Sequence, residues 1–81
     1  MITIELFTRE ECPLCHEARE VLERVQRDIP FTMKEVHVVP GTPFYEAYDA
    51  FIPVVHINGI FAFKSRVDER LLRDKLRQLT A

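Results

Sequence analysis

The chain has 81 residues, 47% of them apolar and 30% charged, with two glycines, no tryptophan and a formal net charge of −2. This is the balance of one small domain with a single core, and it excludes disordered, collagen-like and disulfide-stapled chains. The net negative charge gives no general attraction to nucleic acid or to anionic membrane surfaces. No basic leader precedes an apolar run, and no apolar stretch reaches the length of about 18 residues that a membrane span needs. The expectation is a cytoplasmic monomer that engages neither membrane nor nucleic acid.

Ile2 to Phe7 alternates apolar and polar residues at its start and is β-branched, which predicts a strand. Thr8 to Glu11 follows as a polar loop. From Pro13 onward Leu14, Ala18, Val21, Leu22 and Val25 recur at helical spacing, with Glu17, Glu20, Glu23 and Arg24 on other faces. A helix over Pro13 to Asp28 is predicted, closed by Pro30.

Phe31 to Val38 reads as a second strand that Pro40-Gly41 breaks. Thr42 is placed to cap a short helix, with Pro43 at its first position, where a missing N–H is no loss. Run through Phe51, this helix aligns Phe44, Tyr48 and Phe51, a stripe expected in the core.

Two apolar runs, Pro53 to Ile57 and Ile60 to Phe63, flank Asn58-Gly59, the dipeptide suited to a type I′ hairpin turn. Ser65 and Asp68 resemble a capping box before a last helix, Val67 to Leu79, expected to bury Val67, Leu71, Leu72, Leu76 and Leu79. Arg66, Arg70, Arg73 and Arg77 alternate there with acids and lack interleaved aromatics, so they read as a solvated face.

The order βαβαββα is that of an α/β fold. Its first βαβ unit needs a right-handed crossover between parallel strands, and the hairpin adds two antiparallel ones. A mixed four-stranded sheet flanked by three helices satisfies both conditions.

The chemistry is concentrated in Glu-Cys-Pro-Leu-Cys-His-Glu, residues 11–17, which holds both cysteines of the chain. The pattern fits a redox dithiol, a C-x-x-C-H haem attachment site and a soft-metal carrier. A bond across this spacing closes a ring too small to staple the fold, so a catalytic or metal-binding purpose is favoured. Haem would require His16 as an axial ligand and a second ligand, and Met33 is committed to a strand. Two thiolates would suit Cu(I) or Zn(II). Small copper chaperones, however, run βαββαβ and carry methionine where this chain has Glu10.

The predicted helix start speaks for the dithiol. Free N–H groups and the helix dipole favour a thiolate at Cys12, and the spacing turns Cys15 back toward the helix body. Cys12 is thus the nucleophile and Cys15 the resolving thiol of a thiol–disulfide exchange, and no metal site is expected. Arg9 and a protonated His16 support the thiolate; Glu10, Glu11 and Glu17 oppose it. The alternative is a non-catalytic binding module or soft-metal carrier using the same pair.

Phe7-Thr8-Arg9, Cys12-Pro13-Leu14-Cys15 and the run from Ile52-Pro53 through Asn58-Gly59 resemble glutaredoxin-like proteins of the thioredoxin-fold superfamily, over essentially the whole chain. The resemblance implies a thioredoxin-like, glutaredoxin-type fold. It also implies thiol–disulfide oxidoreduction on protein or low-molecular-weight disulfides. Ile52–Pro53 would be a cis peptide beside the dithiol, with the Ile52 backbone bonding an extended substrate.

Arg9, Pro13, Leu14, Ile52 and Pro53 would then surround that substrate. The exchange requires no cofactor; the partners would be a disulfide-containing protein or small thiol and an external reductant, glutathione or a thioredoxin reductase. The chain departs from the family pattern at Leu14, where tyrosine is frequent, and at Phe51-Ile52-Pro53, where Thr-Val-Pro is common. Phe63-Lys64 stands near the place of a Gly-Gly pair that holds the γ-glutamyl end of glutathione, followed by an acid for which Asp68 is the candidate. A phenylalanine side chain there is expected to obstruct such a ligand.

Overall fold

A computed structural model describes residues 1–80. The strands are β1 (Thr3–Thr8), β2 (Thr32–His37), β3 (Val54–Ile57) and β4 (Ile60–Lys64), and the helices α1 (Pro13–Asp28), α2 (Pro43–Tyr48) and α3 (Glu69–Thr80). They form one mixed sheet in the order β2-β1-β3-β4. β1 runs parallel to β2 and antiparallel to β3, and β3 and β4 form the hairpin.

Alternation along β1 sends its side chains to two different cores. Ile4 and Leu6 join Ala18, Leu22 and Val25 of α1 and Leu72 and Leu76 of α3. Phe7 points the other way, into a cluster with Cys15, Val38, Ile52 and Val54, against which Tyr45 and Tyr48 of α2 pack. So α1 and α3 share one face of the sheet while α2 covers part of the other.

The hairpin forms as its dipeptide demands. Asn58 (φ 51°) and Gly59 (φ 80°) both adopt the left-handed conformation that a two-residue I′ turn requires. The Asn58 side-chain oxygen accepts the Thr3 N–H at 2.9 Å, and the Asn58 N–H donates to the Thr3 carbonyl at 2.8 Å. The turn is thereby tied to the start of β1.

Three expectations about the helices are corrected. α2 stops at Tyr48, so Phe51 is not on it, and the aromatic stripe is only partly core: Phe44 and Phe51 are 39% and 43% exposed. A six-residue helix covers too little of the sheet to enclose them; the Phe51 N–H instead donates to the Tyr48 carbonyl in a turn toward Pro53.

α3 begins at Glu69 and is capped by Asp68, whose Oδ1 accepts the Leu71 N–H at 3.0 Å. Ser65 is not the cap; it sits at φ 65°, three residues too early. Only Leu72 and Leu76 are buried on α3, whereas Leu71 and Leu79 are about half exposed. A helix packed on one side against α1 and the sheet buries a narrow i, i+4 stripe rather than every leucine.

Ion pairs stitch the outer edges of α1 and α3 together. Arg24 binds Glu69 at 2.7 Å, and Arg73 binds both Asp28 at 2.8 Å and Glu69 at 3.0 Å. Hydrogen bonds from Arg24 and then Arg73 hold the Glu69 carboxyl below the usual glutamate range. Both guanidinium groups are raised further in turn, Arg24 by Glu69 and Arg73 by Asp28 and Glu69. Among the described residues no helix is long and apolar enough to cross a membrane.

Candidate functional site

β1 ends at Thr8, fully buried, and the next residues swing the chain into α1. Glu11 makes the turn at φ 54°, a conformation uncommon for glutamate. Cys12 then occupies the N-cap in extended conformation, and Pro13 takes the first helical position. Its fixed φ and absent N–H suit that place.

The Cys12 Sγ accepts the Cys15 N–H at 3.2 Å, so a side-chain sulfur performs the capping role that a serine or aspartate oxygen usually fills. Cys12 and Cys15 are joined in a disulfide, with their Cα atoms 5.2 Å apart. Their environments differ sharply: Cys12 is half-buried, while Cys15 is 2% exposed inside the Phe7 cluster.

The Ile52–Pro53 peptide is cis. Ile52 belongs to the same cluster as both cysteines, and Pro53 is fully buried. The Ser65 N–H donates to the carbonyls on either side, Phe51 at 2.9 Å and Pro53 at 2.7 Å. Ile52, 7% exposed, makes no backbone hydrogen bond among the described residues.

One hollow takes in both cysteines, and a second lies further along α1. The first, of about 260 Å³, is lined by residues 8–12 together with Cys15, His16, Arg19 and His37. The other, about 440 Å³, lies between Leu14, Glu17, Ala18 and Val21 of α1 and the Ser65–Asp68 loop.

The arginines around the smaller hollow already have partners. Arg9 Nη1 meets Asp49 at 2.9 Å, Arg19 pairs with Glu35, and His16 lies 3.8 Å from Glu20. Arg9 therefore lines the site but is engaged by Asp49, and His16 points along α1. Glu10, Glu11 and Glu17 form no ion pair among the described residues.

The remaining expected residues fall around the same centre. Pro13 is exposed, and Leu14, half-buried, forms one wall of the larger hollow. Phe63 does not obstruct the site: it is 8% exposed and turned into the core with Val55, Leu72 and Leu76. Lys64 is the exposed one, its ammonium 4.7 Å from the Phe51 ring centroid.

Arg19 and His37 escaped the sequence reading, yet both reach the hollow beside Cys12. For His37 a signal existed: it closes β2, and parallel pairing sets it opposite Thr8 at the end of β1. No group of three or more His, Cys, Asp or Glu side chains that could hold a metal ion occurs among the described residues.

Known proteins share this fold. In fold, the chain is similar to a mutant thioredoxin from Halobacterium salinarum NRC-1, with TM-score 0.72 and 18% identity over 99% of this chain and 75% of that one. It is likewise similar to oxidized thioredoxin O2 from Arabidopsis thaliana, with TM-score 0.69 and 18% identity over 100% of this chain and 76% of that one. At such identities these likenesses establish a thioredoxin-like fold and nothing more.

In sequence, the chain is 32% identical over 74 residues to the glutaredoxin-like protein YDR286C homolog of Dictyostelium discoideum, covering 84% of this chain and 68% of that protein. The family model described as Glutaredoxin-like domain (DUF836) matches residues 3–77. With a thioredoxin-like sheet, a Cys12–Cys15 pair at a helix start and this match across nearly its whole length, the chain belongs to the glutaredoxin-like domain family.

Proposed function

We propose that the protein is a dithiol thiol–disulfide oxidoreductase in which Cys12 is the nucleophile and Cys15 the resolving thiol. The observation that carries this reading is the asymmetry of the pair: Cys12, half-buried, caps α1 with its sulfur, while Cys15 is buried one turn behind it. N–H groups and the positive end of the helix dipole at that position favour a thiolate over a thiol.

In the reduced protein the Cys12 thiolate attacks one sulfur of a substrate disulfide. A mixed disulfide forms and the first substrate thiolate leaves. Cys15, as thiolate, then attacks the Cys12 sulfur, releasing the second substrate thiolate and closing Cys12–Cys15. Two electrons pass from the pair to the substrate, whose thiolates take protons from water. An external thiol reductant, glutathione or a thioredoxin reductase, reverses the last bond and resets the pair.

In this reading the Ile52 N–H and C=O pair with the extended substrate backbone beside Pro53, and Pro13 and Leu14 border it. Arg9 contributes from the opposite flank while bound to Asp49. The working compartment is the cytoplasm, where a reducing environment would keep such a pair cycling.

The test is trapping. Cys15→Ser removes the resolving thiol, so this variant is expected to accumulate a mixed disulfide on Cys12, seen by mass spectrometry as an adduct that dithiothreitol removes. Cys12→Ser should form none. Equal adduct yields from the two variants would refute the assignment of roles, and stoichiometric retention of copper or zinc through gel filtration would favour a metal carrier.

A further inference from the structure

We infer that His37 is the base of the resolving step: its imidazole takes the proton of the Cys15 thiol, through a water in the hollow that both residues line, as Cys15 attacks the mixed disulfide. The inference rests on the exchange chemistry proposed above and adds a proton-accepting residue to it.

The need for a base comes from burial. Cys15 is 2% exposed among Phe7, Val38, Ile52 and Val54, and apolar surroundings favour a neutral thiol over a charged thiolate. The thiolate that attacks Cys12 must therefore be made at Cys15 during the step, by a group that accepts a proton near neutral pH.

The fold brings His37 to that place. Arg19 of α1 pairs with Glu35 of β2, which sets the level of the helix against the strand. β2 is parallel to β1 and α1 runs back between them, so moving toward the end of β2 and toward the start of α1 leads the same way. From the Arg19–Glu35 pair, His37 stands two strand residues on, about 6.6 Å, and Cys15 four helical residues back, about 6 Å. Both line the hollow of about 260 Å³, ample for a water of about 30 Å³. The strand end is held there, since the Val38 N–H donates to the Thr8 carbonyl at 2.8 Å.

Among the groups around that hollow, His37 is the one equipped for the task. Arg9 and Arg19 are permanent cations paired with Asp49 and Glu35. Of the other two histidines, His56 is bonded to the Tyr48 hydroxyl at 2.8 Å, and His16 lies 3.8 Å from Glu20. His37 is exposed, and its ring has no hydrogen-bond or ion-pair partner among the described residues. Glu10 and Glu11, also in the lining, are weaker bases than an imidazole, and their charges favour the imidazolium once it forms.

The step balances. A bond forms between the Cys15 and Cys12 sulfurs as the bond from Cys12 to the substrate sulfur breaks. The substrate leaves as a thiolate with the electron pair, and the Cys15 proton stays on His37, which then passes it to solvent.

The experiment mixes reduced protein with excess dithiobis(nitrobenzoate), which releases one coloured thiolate when Cys12 attacks and a second when Cys15 closes the disulfide. The first phase scales with reagent concentration and the second does not, so stopped-flow absorbance separates them. His37→Gln is expected to slow the second phase about tenfold or more at pH 7 and to leave the first within about twofold. Free imidazole should restore part of the second phase in His37→Ala, and the deficit should close at high pH, where hydroxide removes the thiol proton. The wild-type second phase should carry an inflection between about pH 5 and 8 that His37→Gln lacks.

Equal second-phase rates in the wild type and His37→Gln at pH 7 would overturn the inference and leave the exchange chemistry standing. So would a deficit that imidazole and high pH both fail to relieve, the mark of a role in packing alone. If the wild type releases no second thiolate, or Cys15→Ser still does, the exchange chemistry fails and the inference with it.

Discussion

At Cys12, a half-buried residue, the sulfur accepts one backbone N–H, whereas Cys15 lies among Phe7, Val38, Ile52 and Val54 with 2% of its surface exposed. Alkylation of the reduced protein should therefore follow an order. Brief treatment with iodoacetamide is expected to label Cys12 alone, and Cys15 is expected to react only after denaturant is added, as peptide mapping would read. The difference in burial between the two was legible in the sequence, because in a C-x-x-C pair at a predicted helix start the second cysteine turns back toward the helix body. The partner of Arg9 was not: Asp49 is 40 residues away and meets it only after α2 has docked. Arg19 and Glu35, which pair across α1 and β2, were hidden for the same reason.

Among the elements, α3 shows how far a periodicity can be read. Its leucines follow helical spacing, but the width of the buried stripe depends on how many neighbours the helix meets, which no local pattern encodes. Leu72→Ala or Leu76→Ala should cost about 2–5 kcal/mol in chemical denaturation, as for other fully enclosed leucines. Leu71→Ala, on the half-exposed side, should cost less than about 1 kcal/mol.

The α1–α3 ion pairs make a second prediction. Because the Glu69 carboxyl titrates lower in the folded chain than in the unfolded one, its pairing contributes fully at neutral pH. That contribution shrinks as pH falls below the ordinary glutamate value, near about 4.3, and is gone once pH is below the folded-state value. Glu69→Gln should thus lower the melting temperature at pH 7 and match the wild type in strong acid. Added salt should narrow the gap, since these groups are partly solvent-exposed.

For the molecule as a whole, the sequence announced the parallel β1–β2 unit through its helix-linked strands and the β3–β4 hairpin through Asn58-Gly59. The pairing that joins these two halves, Ile4 to Phe7 against Val54 to Ile57, spans some 50 residues and is set by burial rather than by any turn signal. It made β1 an interior strand, and that position governs how the molecule opens. With neighbours on both sides, the amides of Ile4 to Phe7 should exchange with deuterium last, by global unfolding, whereas those of edge strand β4 should exchange through smaller openings. The loop bearing Cys12 is a direct continuation of this slowest-opening strand. Its sulfur accordingly has a fixed footing, so that in the proposed exchange an incoming chain would adapt its own shape to the site instead of waiting for the site to move.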